Sequence, residues 1–242
     1  MHVDLVELLV AGVAAFALAL LSAVAGFGGG VLLLPVFTAL FGLRAAVPVL
    51  TLTQIGSNAG RVWLNRGELK RPVIGWFALG AVPMAVAGAL LLAGAPLSGL
   101  KRGLGLFLVA VVIWRRCQPR PGMRDPKGFG VVGAASGLVS ALVGSAGPLT
   151  APFFLAYGLT RGAYIGTEAA CALVLHVTKT AAYGGVSLLS PVIVLYGVLL
   201  TPATVAGAWV GKKVVDRLDD KVFVLLVEAG LLVSGLLYLA GF

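Results

Sequence analysis

The chain has 242 residues, 60% of them hydrophobic and 11% charged, with a formal net charge of +9. A soluble domain carries about 25% charged residues, so this composition excludes an ordinary soluble enzyme and predicts an all-α, polytopic membrane protein. The positive excess falls in short loops between apolar runs, where it sets topology rather than forming a nucleic-acid surface.

Apolar segments are expected at 5–25, 29–43, 45–64, 73–93, 97–114, 129–143, 148–160, 162–184, 190–211 and 221–241. A helical crossing needs about 20 apolar residues, so these make about eight to ten membrane segments. The second, sixth and seventh are short, and read as tilted or re-entrant helices. Asp4 and Glu7 come where a leader would have basic residues, so 5–25 is expected to belong to the mature fold.

The stretch "GFGGGVLLLP" (26–35) interrupts the first apolar region. Backbone groups freed there must be buried in protein or line a wet cavity. A helix starting after the break points free N–H groups and partial positive charge into that cavity, a plausible anion site. Glycine also lets a ligand approach the backbone. Gly28, Gly29 and Gly30 are therefore substrate-binding candidates. Close helix packing or a turn at the membrane edge would use the same glycines.

Segment 45–64 carries "TLTQIGSN". Thr53 and Ser57 are i,i+4 neighbours, as are Gln54 and Asn58, so with Thr51 one polar patch is expected. It can bond a substrate or a neighbouring helix. Arg61, at the end of this segment, could draw an anion into a vestibule.

The stretch 129–160 contains a second break, "GSAGPLTAPF" (144–153), with Ser145 and Gly147 as candidates. Segment 162–184 carries Thr167, Glu168, His176, Thr178, Lys179 and Thr180. Ionisable residues within a membrane usually serve a site or a proton path. His176 and Thr180 are expected to contact substrate. Glu168, His176, Lys179 and Arg61 are candidates for a proton or charge relay. Lys179 also lies close enough to the helix end to snorkel out. His176 could equally satisfy a backbone carbonyl. Glu228, in the last segment, is isolated.

Basic residues orient the chain. Loops 61–71, 115–127 and 212–221, with Arg161, hold 14 of the 18 Lys and Arg residues, leaving Arg44, Lys101, Arg102 and Lys179 opposite. The first set is expected in the cytoplasm. Segments 162–184 and 190–211 each cross once, so 129–160 makes no net crossing.

The halves resemble each other. "RPVIGWFALGAVPMAVAGALL" (71–91) aligns with "SPVIVLYGVLLTPATVAGAWV" (190–210), matching Pro72 with Pro191, Pro83 with Pro202 and Gly88 with Gly207. "FGLR" (41–44) resembles "YGLT" (157–160), and Pro35 matches Pro152. Loop charges do not repeat: basic "RGELKR" corresponds to uncharged "GVSLLS", and neutral "AGAPL" to "GKKVV". The expected organisation is a first repeat at 1–114, a cytoplasmic linker at 115–128 and an inverted second repeat at 129–242. Inverted repeats recur in secondary transporters.

Cys117 and Cys171 show no CxxC spacing, and Cys171 reads as a packing residue. No ATP-binding loop, cofactor motif, metal motif or catalytic constellation stands out, so no enzyme activity is expected.

"GFGGGVLLLPVFTALFGL", a polar helix, a short basic loop and "PVIGWFALGAVPMAVAGALLL" together resemble the TauE/SafE sulfite exporter family. The degenerate copy "GAASGLVSALVGSAGPLTAPFFLAYGL" is similar to it too, and the resemblance covers almost the whole chain. "VLTLTQ" (49–54) and "GSAGPL" (144–149) depart from the usual pattern. The resemblance implies a plasma (cell inner) membrane transporter for sulfite or organosulfonates, often exporting them. Its expected partners are a small anionic substrate and the lipid bilayer, with no nucleic acid; a homo-oligomer is left open. The alternatives are a transporter or channel for another small anion or neutral metabolite, and a membrane assembly or redox factor.

Overall fold

The computed structural model describes residues 5–23, 30–94, 125–159 and 161–215, with single positions between 96 and 117 and between 232 and 240. Gly28, Gly29 and most of the segments expected at 97–114 and 221–241 lie outside the described residues.

Among the described residues every element is helical. The first half contributes α1 (Leu5–Ala23), α2 (Gly30–Phe41), α3 (Leu43–Leu64) and α4 (Arg71–Gly94). A 3-10 turn at Pro126–Gly128 leads into α5 (Phe129–Val143), α6 (Gly147–Ala156), α7 (Arg161–Gly185) and α8 (Pro191–Val215). Asp125 starts this half by accepting the Lys127 N–H at 2.9 Å. The related stretches 41–43 and 157–159 turn alike at their glycines. Gly42 has φ 74° after α2, and Gly158 has φ 84° after α6. Glycine takes this left-handed conformation without the Cβ clash that other residues meet. Each short helix is thereby turned sharply into the long one that follows.

The long helices pair across the halves. α4 packs along α5, and α1 along α8. Lipid tails are as apolar as leucine, so helices in a bilayer are held by close packing and hydrogen bonds. Glycine makes that approach close. A Cβ at Gly133 would meet the Phe77 carbonyl, and one at Gly137 the Ala81 carbonyl. The sequence-matched pair behaves in a matched way: Gly88 faces Leu138 and Ala141 on α5, and Gly207 faces Phe16 on α1. Each half thus lends its fourth helix to the first helix of the other.

Two cores result. One centres on α1, α2, α3 and α8 with Phe37, Val49 and Tyr196, and takes in Ala89 and Leu92 of α4, Val143 of α5 and Tyr183 of α7; the Phe41 and Tyr196 rings lie 4.7 Å apart. The other joins α4, α5, α6 and α7 through Phe77, Phe129, Phe154 and Leu175; the Phe129 and Phe154 rings lie 5.1 Å apart. α3 and α7 pack on each other between the cores.

The outer faces of α1, α4 and α8 are apolar, with Val13, Leu79, Leu90 and Val198 exposed. Arg71–Gly94 and Pro126–Val143 are long and apolar enough to cross a bilayer, with mean hydropathies of 2.0 and 1.3.

Candidate functional site

α3 and α7 run antiparallel. Arg61, near the end of α3, meets Glu168, near the start of α7, while Thr51 lies beside the Tyr183 hydroxyl at the opposite ends. This crossing brings the two polar stretches of the sequence face to face. Gln54 and Asn58 on α3, and Glu168 and His176 on α7, are all buried.

The break between α5 and α6 completes the site. Gly144 takes φ 82°, and its N–H donates to the Ser140 carbonyl at 2.8 Å. The chain then leaves the helix for two residues and restarts at Gly147. The Leu149 and Thr150 amides both donate to the Ala146 carbonyl, at 3.0 and 3.1 Å. Ahead of them in the helix only Gly147 offers an N–H, since Pro148 has none, so that one amide carries the partial positive charge of the α6 N-terminus.

A cavity of about 20 Å³ lies where these elements meet, room for a water-sized molecule. Its polar wall comes from Gln54, Asn58, Ser140, Ser145, Thr150, Glu168 and His176, with Gly147 at the α6 start. Phe77, Phe154, Cys171 and Leu175 form an apolar wall. His176 is 3% exposed, and its Nδ1 is buried without a hydrogen-bond partner among the described residues. Buried polar atoms are nearly always paired, so an orphan on a cavity wall calls for an explanation.

Two cations flank the cavity. Arg61 Nη2 donates to Asn58 Oδ1 at 2.7 Å and to Glu168 Oε2 at 2.6 Å, while its buried Nε has no partner among the described residues. The Lys70 N–H donates to Thr167 Oγ1 at 3.0 Å beside this pair. Lys179 is fully buried rather than snorkelling out. Its Nζ donates to the Ser140 carbonyl (3.1 Å), Ser140 Oγ (2.8 Å) and the Gly144 carbonyl (2.8 Å). All three ammonium protons are therefore used at the end of α5.

Of the residues singled out in the sequence, Gln54, Asn58, Ser145, Gly147, Glu168 and His176 share one cavity wall. Thr53 donates to the Leu50 carbonyl at 2.8 Å and Thr180 to the His176 carbonyl at 2.8 Å; neither lines the cavity. Ser57 is half-buried and off the wall, and Arg61 and Lys179 lie behind it. Gly30 opens α2. Sequence reasoning missed Ser140, Thr150 and the apolar side. Ser140 had a signal: it falls one turn after Ser136 on α5, and both are buried. Cys171 packs in the second core, as expected, but also touches the cavity.

Apolar helices with exposed apolar outer faces, enclosing a polar cavity at a helix break, define a membrane transport protein. The family model for Sulfite exporter TauE/SafE matches residues 11–238, and the chain belongs to that family. It is a transporter of the sulfur-anion exporter type and not an enzyme. No curated protein and no solved structure gives a significant match.

Proposed function

We propose that the chain moves a small sulfur-containing oxyanion, sulfite or an organosulfonate, by alternating access at the cavity between α3, α6 and α7, which is water-sized in this structure and widens to admit the anion. The observation that carries this is His176 Nδ1, buried and unpartnered on the wall that the α6 N-terminus also faces. Leaving a buried polar atom unpaired costs about 1–3 kcal/mol, and a bound ligand would remove that cost. The Gln54 carboxamide and the Ser145 hydroxyl supply further polar groups, while the Thr150 hydroxyl donates to the Gly147 carbonyl at 3.0 Å. Neutral dipoles and a helix terminus hold an anion without a permanent cage, which suits a site that must also release. The apolar wall suits an anion with one face that makes no hydrogen bonds. Sulfite has its sulfur lone pair there, and a sulfonate its carbon.

The protein would sit in the plasma (inner) membrane with loops 61–71, 115–127 and 212–221 in the cytoplasm, as the basic residues favour. Residues 1–114 and 129–242 would be inverted repeats. The antiparallel α3–α7 crossing and the exchange of α4 and α8 between halves support that relation. The moving bodies would be α1–α3 with α8 against α4–α7, a division that also slides Ala89, Leu92, Val143 and Tyr183 out of the first core. The cavity spans their boundary, with Gln54 and Asn58 on one side and the rest of the wall on the other.

Thermal unfolding of the purified protein with a panel of anions tests the reading. Ligands that bind only the folded state raise its melting temperature. Sulfite or a short alkanesulfonate should do so, and chloride at matched ionic strength should not. No response to any sulfur oxyanion contradicts the proposal.

A further inference from the structure

Among the described residues, Arg61 is the one cation that touches the cavity wall from the exposed side. Its side chain is 20% exposed and that of its partner Glu168 only 5%, so the guanidinium stands between the wall and the surface. Arg61 does not line the cavity, but both of its acceptors, Asn58 and Glu168, do. A guanidinium carries five donors in a fork shaped for two oxygens at once. Here, among the described residues, a single nitrogen, Nη2, makes both bonds, and buried Nε makes none. The fork is under-used. The pair joins residues 107 positions apart on the two helices that separate the cores. A buried ion pair is weak evidence for stability, because desolvation offsets the attraction, so this one asks for another reason to exist.

We propose that the Glu168 carboxylate is an internal stand-in for the transported anion. It occupies Arg61 while the cavity is empty; the anion displaces it from Arg61 on its way through, and the freed carboxylate takes up a proton, because left charged and unpaired beside an anion it would forfeit what the exchange gains. This rests on the cavity being the oxyanion site. An oxyanion presents two or three oxygens, so it can engage Nη2 and Nε together where Glu168 engages Nη2 alone. Taking Arg61 from Glu168 also undoes the ion pair that ties α3 to α7 at this end. Anion binding and separation of the two helix groups are then one event. The competition keeps affinity low enough for release.

Methanesulfonate, titrated calorimetrically into purified protein in lipid nanodiscs, separates the claims. Glu168→Gln keeps the side chain's shape and removes its charge, and should bind about tenfold more tightly than wild type. Arg61→Gln alone leaves a buried carboxylate unpaired and can misfold, so the second variant is Arg61→Gln with Glu168→Gln. That neutral pair should bind no tighter than wild type. Glu168→Gln binding at or below wild-type affinity overturns the competition and leaves the cavity reading standing. So does tightening that persists in the double variant, because it comes from lost repulsion rather than a freed Arg61. No binding by wild type and Glu168→Gln overturns both readings.

Discussion

Lys179 Nζ lies 2.8 Å from the carbonyl oxygen of Gly144, the left-handed residue that ends α5. With the Ser140 carbonyl and hydroxyl also bound, one ammonium closes the end of that helix from the neighbouring α7. A helix C-terminus leaves carbonyls without intrahelical partners, and a cation there also meets the favourable end of the dipole. Lys179→Met keeps the length of the side chain and removes every donor. It should cost about 1–3 kcal/mol and lower the melting temperature of the purified protein. A Lys179→Met protein that melts with wild type contradicts this role.

The α4–α5 contact should tolerate no added bulk. Valine at Gly137 would drive into the Ala81 carbonyl and the Ala85 amide of α4. Gly137→Val should destabilise by about 1–3 kcal/mol through overpacking. Gly60, on α3, has open space around its missing Cβ. Gly60→Ala should be neutral, or slightly stabilising through reduced freedom of the unfolded chain. Melting both variants beside wild type checks the contrast, and equal losses would show that backbone approach is not what joins these helices.

Cys171 offers a reporter within the cavity itself. It is 1% exposed and lines the apolar wall, whereas Cys117 is exposed. In a Cys117→Ser background, a small alkylating reagent should modify Cys171 slowly, and methanesulfonate should slow it further. Sulfite is unsuitable here because it attacks such reagents. Mass spectrometry of the modified peptide gives the rate. Modification unaffected by saturating methanesulfonate places the ligand elsewhere.

His176 should separate function from stability. Its Nδ1 bonds to nothing among the described residues, so removing the ring breaks no side-chain hydrogen bond from that atom there. His176→Gln should melt within a few degrees of wild type. Loss of a hydrogen bond to a charged ligand should weaken methanesulfonate binding by roughly tenfold or more. A large fall in melting temperature with unchanged affinity would mark His176 as structural instead.

The helices were legible because their causes are local. Apolar runs bounded by glycine, proline and charge predicted α1–α8 to within a few residues. The matched "FGLR" and "YGLT" stretches marked two turns that both need glycine at positive φ. Gln54, Asn58 and His176 were legible as polar groups in apolar segments. The Arg61–Glu168 pair was not, because 107 residues of chain separate its members and only the antiparallel crossing joins them. Lys179 looked able to reach the membrane surface because distance to the helix end was all the sequence offered. Its direction is set by Ser140 and Gly144 on another helix. The exchange of α4 and α8 left one trace, the matched Gly88 and Gly207, whose meaning depends on which backbones they face.

Counterflow in proteoliposomes tests most directly whether the α3–α6–α7 cavity carries the oxyanion. Vesicles preloaded with unlabelled methanesulfonate should accumulate the labelled anion when they hold wild-type protein. Those holding an equal amount of folded His176→Ala protein should accumulate it about tenfold more slowly. Equal accumulation by the two proteins, or none by wild type with any sulfur oxyanion tried, contradicts the account.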